Sequence, residues 1–294
     1  MEILVTGAAG FIASNTIELL LKEGHKVIGI DNFSTGFFQN VIDHPDFEFI
    51  LGDYGDPKIT GRLIVDSCMH FGGYISVAES INYPEKYLNN NVGKTLSLLE
   101  NVSTKQFIFS SSCAASQPEN SPYALSKLMV EQVLSVCTDF NRGILRYYNA
   151  AGGTKDHPEN HSPETHLIPL AIDAAKNGTT LKIFGNDYDT HDGTCIRDYI
   201  HVKDLARAHL LMLDYLNRYE ELTVEVGSGS GYSNLEVIQM IEQTSGKKIN
   251  IEFVSRRSGD APRLVARTSM ARDILGFKTE YNLENIIKDA WECR

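Results

Sequence analysis

The stretch Val5-Thr6-Gly7-Ala8-Ala9-Gly10-Phe11-Ile12-Ala13 constrains the fold more than any other part of the chain. Glu2–Thr6 reads as a short buried strand that runs straight into two glycines. A helix follows, with Ile12, Ile17, Leu20 and Leu21 on its apolar face and Gly24 as its stop. Strand, glycine turn and helix form the context in which backbone amides hold a phosphate. Gly7 allows the tight turn, Gly10 lets the backbone approach a pyrophosphate at the helix N-terminus, and Ala13 is the small position where helix packs on strand. The spacing is G-x-x-G-x-x-A, not G-x-G-x-x-G. A second strand, Lys26–Ile30, ends at Asp31, about 20 positions past the turn, where an acidic side chain meets the ribose hydroxyls of a dinucleotide. No Arg or Lys lies from Asn32 to Gln39 to receive a 2′-phosphate, so the pattern favours NAD over NADP.

The following segments repeat the strand–helix alternation. Phe47–Leu51 ends in Gly52-Asp53, and Ile64–Phe71 ends in Gly72-Gly73, both with small or polar residues where ligands bind in open α/β sheets. A long helix is expected from Tyr83-Pro84-Glu85 through Tyr87, Val92, Leu96 and Leu99, with Asn90 inside it. The strand Gln106–Phe109 ends in Ser110-Ser111-Ser112, a helix follows Pro122, and Gly143–Asn149 is a sixth strand. This order predicts a doubly wound, mostly parallel α/β sheet of the Rossmann type over residues 1–150. Residues 150–165 read as loop. His166–Lys176, Lys203–Leu216 and Leu235–Thr244 read as helices, and Leu181–Phe184, Cys195–Val202, Leu222–Val226 and Ile249–Val254 as strands. Residues 151–294 are expected to form a smaller α/β substrate domain, with 195–228 returning to the first.

After Pro122, Tyr123 and Lys127 stand at i and i+4 and share a helix face. An ammonium beside a phenol stabilises the phenolate and lowers its pKa from about 10, giving a general base near neutral pH. Ser112, at the end of the preceding strand, is placed to hold a substrate hydroxyl or carbonyl for that base. Tyr-x-x-x-Lys alone is more often a solvated helix face; the dinucleotide turn upstream gives it meaning. The net charge is −11 with no basic block, which argues against a nucleic-acid surface. Five scattered cysteines without a C-x-x-C pair fit a reducing cytoplasm. No signal peptide is read at the start, and no apolar run nears the ~20 residues that span a bilayer. His157 and His161 sit in a loop without a matching third ligand, so no metal is expected; Cys113 lacks a base and reads as a buried thiol.

Side by side, these motifs resemble the extended short-chain dehydrogenase/reductase superfamily and, more narrowly, the UDP-glucose (UDP-galactose) 4-epimerase family. The resemblance covers nearly the whole chain. It rests on the Gly7–Ala13 turn, Asp31-Asn32, Gly52-Asp53, Phe71-Gly72-Gly73, Asn90-Asn91-Val92 and Ser110-Ser111-Ser112. It continues with Ser121-Pro122-Tyr123 to Lys127, Arg146-Tyr147-Tyr148-Asn149, Glu164-Thr165-His166-Leu167-Ile168-Pro169, the run Phe184 to Val202, and Arg256-Arg257 with Gly259-Asp260. It implies an isomerase in which tightly held NAD is not consumed. Tyr123 deprotonates the sugar C4 hydroxyl, Lys127 lowers the Tyr123 pKa and binds the nicotinamide ribose, and Ser112 holds the C4 oxygen. The 4-keto sugar then turns over. The implied cofactor set is Gly7, Gly10, Phe11, Ile12, Asp31, Asn32, Asp53, Tyr54, Phe71, Gly73, Asn90, Lys127 and Tyr148. Ser112, Tyr123, Asn149, His166, Leu167, Phe184, Tyr199 and Asp260 line the substrate pocket, with Arg197 and Arg257 on the pyrophosphate. The resemblance also implies a cytoplasmic homodimer joined through the Tyr123 helix and the helix after Pro84.

The chain departs from the family in three places. Ser112 and Tyr123 are only 11 residues apart, where relatives carry a longer connection with a Val-Tyr-Gly and an acidic segment, so the sugar pocket is expected to be more open to water. Ile75 stands where some epimerases have a Lys that contacts the cofactor. Leu264 stands where some glucose-specific members have a bulkier residue, which leaves room for an N-acetyl group. Cys113-Ala114 replaces the acidic pair that a 4,6-dehydratase needs and the Glu of a decarboxylase. The remaining alternatives are another NAD-dependent nucleotide-sugar enzyme and a non-catalytic NAD-binding regulator.

Overall fold

The computed structural model describes residues 1–257 and 259–294. The first part of the chain runs β1 (Glu2–Thr6), α1 (Phe11–Lys22), β2 (Lys26–Asp31), β3 (Phe47–Leu51), α2 (Pro57–Thr60), β4 (Ile64–His70), α3 (Val77–Asn82), α4 (Pro84–Tyr87), α5 (Lys94–Asn101), β5 (Ser103–Ser112), α6 (Pro122–Val136) and β6 (Asn141–Tyr147). The rest runs β7 (Asn149–Ala151), α7 (Leu167–Asn177), β8 (Thr180–Phe184), β9 (Ile196–His201), α8 (Val202–Leu216), β10 (Glu221–Val226), β11 (Gly231–Ser233), α9 (Asn234–Ser245), β12 (Asn250–Val254), β13 (Arg263–Leu264), α10 (Ser269–Leu275) and α11 (Leu283–Cys293).

Seven strands form one sheet in the order β10-β6-β5-β4-β1-β2-β3, all pairings parallel. A parallel sheet is covered on both faces, which is why its central strands β1, β4 and β5 carry continuous buried runs, whereas the edge strand β10 alternates. Ile3, Leu4 and Val5 of β1 are each 0% exposed. One face packs Ile17 and Leu20 of α1, Leu205 and Leu213 of α8 and Leu275 of α10. The other packs Leu98 of α5 and Val130 and Leu134 of α6. A separate core gathers Ile168 and Ile172 of α7, Ile183 of β8, Ile241 of α9 and Ile287 of α11. Beside it lie two small sheets, β11-β9-β13 with β7 also on β9, and β12-β8.

The structure redraws three sequence expectations. The long helix after Pro84 is interrupted by a π-helical turn over Leu88–Gly93. There Asn91 donates to the Tyr74 carbonyl (3.0 Å) and to Ser126 Oγ (3.1 Å) and accepts from the Tyr74 amide (2.8 Å), so buried amide bonding competes with the regular ladder. The sixth strand stops at Tyr147; Asn149 already belongs to β7, which pairs with β9 rather than with the main sheet. The expected loop at 150–165 therefore starts inside a strand. Third, residues 195–201 do not return to the large sheet, because β9 is the centre of the small one; the return begins with α8 and is completed by β10.

Candidate active site

β1 lies between β2 and β4, so the crossovers leave in opposite directions and open a crevice at the strand C-termini. Gly7 has φ +71°, and a Cβ on it would stand 2.9 Å from the Gly72 amide nitrogen. Any side chain would therefore close the cradle between the two turns. Gly10 caps α1 without a side chain, leaving the first-turn amides facing the crevice. Asp31, buried at the end of β2, accepts from the Ala9 amide (3.0 Å) and the Phe33 amide (2.7 Å). Burial pushes its pKa up while these bonds oppose the shift. A carboxylate so held keeps lone pairs for hydroxyl donors.

Asn32 donates to Asp53 (3.2 Å), and Lys94 pairs with the same carboxylate at 2.5 Å. Burial raises Asp53, but the Lys94 ammonium and the Gly55 amide outweigh it, and the net shift is downward. Tyr54 donates to the Asn90 carbonyl (3.0 Å) and the Asn90 amide returns to the phenol (3.3 Å). Phe71 packs on His209 with ring centroids 4.6 Å apart, Gly73 lies against the Asn91 amide, and Tyr148 donates to Glu225 (3.0 Å). A side-chain-free cradle at a helix N-terminus, one strand away from a buried carboxylate, fits the pyrophosphate and adenosine ribose of NAD.

The second half of the site is built on β5 and α6. Ser121 caps α6 by accepting from the Ala124 amide (3.1 Å), and Pro122 occupies the first helical position. Tyr123 is thereby fixed in the first turn, 9% exposed, with Ser112 beside it. Burial pushes Tyr123 up to about 12, and the Ser112 hydroxyl opposes the shift. The net shift is upward, against the sequence expectation that Lys127 lowers it. The Lys127 ammonium donates to the Ser110 carbonyl (2.8 Å) and lies 4.9 Å from the Phe109 ring centre. Burial pulls Lys127 down to about 8, and the Glu131 carboxylate opposes that pull.

Sequence reading missed the groups that hold this pair. Glu131 follows Lys127 by one turn, accepts from Ser111 Oγ (2.5 Å) and Arg146 Nε (2.8 Å), and is paired with Arg146 NH2. Tyr147 bonds Ser110 Oγ. The signal was present as Glu131 at i+4 from Lys127 and Arg146 on the neighbouring strand, but only the β5–β6 register brings them together.

Of the expected substrate residues, Asn149, Arg197, Tyr199 and Asp260 meet at β9. Asn149 donates to the Asp198 carbonyl (2.8 Å), and Tyr199 is buried opposite it in the β7–β9 register. Arg197 donates to the carbonyls of Ile196 (2.9 Å) and Ala261 (2.8 Å) and meets Asp260 at 3.3 Å. It forms no pair with Asp198, whose carboxylate instead accepts from Ser228, Gly229 and Ala266. The Arg257 guanidinium lies 3.9 Å from the Phe184 ring centre. His166 caps α7 and Leu167 is its first residue. His157 and His161 are not brought together: the His157 carbonyl accepts from Asn15 on α1 (3.2 Å), whereas His161 meets Glu164.

Comparison with known proteins matches this architecture. The family described as "NAD dependent epimerase/dehydratase family" matches residues 3–227. The UDP-glucose 4-epimerase of Streptococcus mutans serotype c is 39% identical, covering 99% of this chain and 96% of its own. The alignment runs over 323 positions, more than the 294 residues here, so that relative carries segments this chain lacks. Among solved structures, the UDP-glucose-4-epimerase of Stenotrophomonas maltophila, with bound NAD and formylated UDP-arabinopyranose, superposes with a TM-score of 0.94 at 31% identity over 100% of this chain and 97% of that one. The UDP-Glc/GlcNAc 4-epimerase of Campylobacter jejuni gives 0.83 at 37% identity, over 99% and 98%. With a family match over most of its length and relatives aligned end to end, the chain belongs to the NAD dependent epimerase/dehydratase family, among its UDP-glucose 4-epimerase-like members.

Proposed function

We propose that the chain is an NAD-dependent epimerase that inverts C4 of a UDP-hexose through a transient 4-keto sugar. The observation that carries this reading is the pair Tyr123 and Lys127, both buried on α6, with the half-buried Ser112 beside Tyr123 at the end of β5. When bound, NAD supplies the hydride acceptor and the oxidised ring's positive charge. Ser112 holds the C4 oxygen, and Tyr123 takes the C4 hydroxyl proton in the oxidative half and gives it back in the reductive half. Burial raises Tyr123, which makes it a strong base once ionised; a cation one helical turn away makes ionisation accessible. Lys127, fixed on the Ser110 carbonyl, supplies that cation. Arg197 and Arg257 bind the pyrophosphate, so that binding energy sits in the nucleotide and the hexose is free to turn. Gly7, Gly10, Phe11, Ile12, Asp31, Asn32, Asp53, Tyr54, Phe71, Gly73, Asn90 and Tyr148 hold NAD, and Asn149, His166, Leu167, Phe184, Tyr199 and Asp260 complete the sugar-nucleotide pocket.

Two extensions belong to the same proposal. Leu264 pairs with Arg197 in the β13–β9 register, which places a modest side chain beside the pocket and supports acceptance of UDP-N-acetylhexoses. Val77, Ile81, Leu96 and Leu125 are 44, 50, 40 and 40% exposed on α3, α5 and α6, an apolar surface suited to a homodimer built on these helices. All five cysteines are free, in keeping with a cytoplasmic enzyme, and among the described residues no helix is long and apolar enough to cross a membrane.

The test is purified protein with UDP-galactose and no added cofactor, following UDP-glucose and NADH absorbance. Conversion without net NADH is expected, and Tyr123→Phe is expected to lose about 10²–10⁴-fold in kcat while keeping bound NAD. Unchanged conversion in that variant overturns the reading. Bound NAD without turnover of any UDP-sugar by the wild type turns it into a binding-only protein.

A further inference from the structure

The segment that leads from β7 into α7 gathers Glu159, His161, Glu164 and His166, with one ligand-capable atom from each lying within 4.8 Å of all the others. His161 Nδ1 and His166 Nδ1 stand 3.3 and 3.2 Å from Glu164 Oε1, and 3.8 and 3.9 Å from Glu159 Oε1. The imidazole rings overlap with centroids 4.3 Å apart. Charge-assisted N–H···O bonds run at about 2.7–2.9 Å, so the Glu164 contacts are long for such bonds and the Glu159 contacts lie beyond hydrogen-bond reach. The two Glu164 spacings match the edge of a tetrahedron of nitrogen and oxygen ligands about 2.0–2.2 Å from a shared centre, which is about 3.3–3.6 Å, and the two Glu159 spacings would close by a few tenths of an ångström around an ion.

A second observation points the same way. The Glu159 side chain is only 4% exposed, and its Oε2 has no hydrogen-bond partner. An unpartnered buried carboxylate facing two imidazole nitrogens and a second carboxylate needs a cation to complete it. The nearest fixed cation, Arg294, is 3.6 Å from Glu164 but is engaged by Asp173 at 2.6 Å through both Nε and NH2.

We propose that Glu159, His161, Glu164 and His166 form a binding site for a single zinc-like divalent cation. Two neutral imidazoles and two carboxylates are a ligand set of borderline softness that suits four-coordinate zinc. All four protein ligands close the coordination sphere, so the ion is structural. It pins the 159–166 segment and with it the His166 cap of α7.

The test uses the full-length, tag-free protein freed of metal by chelation and then titrated with Co(II) and Zn(II). One Co(II) per chain with the intense visible bands of a four-coordinate ion, displaced by Zn(II), is the expected result. Zn(II) should also raise the melting temperature. Glu159→Gln, which keeps the volume and removes the charge, and His161→Ala should each weaken binding at least about 100-fold. His157→Ala, outside the cluster, should leave it unchanged. Wild-type protein that takes up neither ion at roughly tens of micromolar overturns the proposal, as does equal uptake by a folded Glu159→Gln variant. Should His161→Ala not fold, the wild-type titration and Glu159→Gln decide.

Discussion

Replacing Glu131 by Gln tests whether the charge of Lys127 is what makes Tyr123 a usable base. The carboxylate is 6% exposed and bonds Ser111 and Arg146, so a neutral amide of the same size keeps the shape while removing one charge a turn from Lys127. An i,i+4 pair with charges ~6 Å apart at an effective dielectric near 20 interacts by about 3 kcal/mol. The Arg146 guanidinium is present in both proteins and drops out of the difference, and 1.36 kcal/mol corresponds to about one pKa unit. Lys127, held near 8 by burial and propped up by Glu131, should therefore lose its proton about two pH units earlier in the variant. The catalytic form carries the ammonium. Rate should fall as pH rises through that pKa, and the falling limb should move to lower pH. The assay is the pH profile of UDP-galactose conversion on protein with its NAD content measured. A limb that stays within about 0.2 pH units of wild type in folded, NAD-loaded Glu131→Gln refutes the reasoning. The variant also leaves Arg146 without its partner, so it should be less stable by about 3 kcal/mol.

Asp198→Asn should destabilise the chain by about 3–5 kcal/mol in urea unfolding, because the buried carboxylate accepts from three backbone amides and the Ser228 hydroxyl, and an amide NH2 would face donors. Leu264→Tyr should lower kcat/KM for UDP-GlcNAc at least about tenfold and leave UDP-galactose within about threefold, read from initial rates on both sugars; equal losses would mean that Leu264 does not shape the pocket. Leu125→Glu should shift the protein from dimer to monomer in sedimentation velocity, and an unchanged dimer would place the interface elsewhere.

The sheet was legible because strands β1 to β5 carry apolar runs and end at or close to Gly, Asp or Ser, and the parallel order follows from the helices between them. Asp31 and the Gly7 turn were legible for the same reason: local geometry dictates them. What could not be read was tertiary. The π-turn at Leu88–Gly93 depends on Asn91 finding Tyr74 and Ser126, neither of which is near it in sequence. Arg197 shows the same limit, since Asp260 and the Ala261 carbonyl, which hold its guanidinium, lie more than 60 residues away. The cluster at Glu159–His166 was hidden because the eye pairs His157 with His161 at helical spacing, and the segment is not a helix. The Tyr123 pKa was misjudged because proximity to Lys127 was weighed without the depth of burial.

Between Tyr147, the last residue of β6, and Asn149, the first of β7, stands Tyr148 alone. At this crossing the strand that borders Ser112 and the strand that carries Asn149 are joined by two soft torsions, φ and ψ of one residue whose phenol is itself tied to Glu225. A joint one residue long leaves the two strands little slack. In the proposed reaction the sugar ring therefore presents its two faces to one fixed base by its own rotation rather than by movement of these walls.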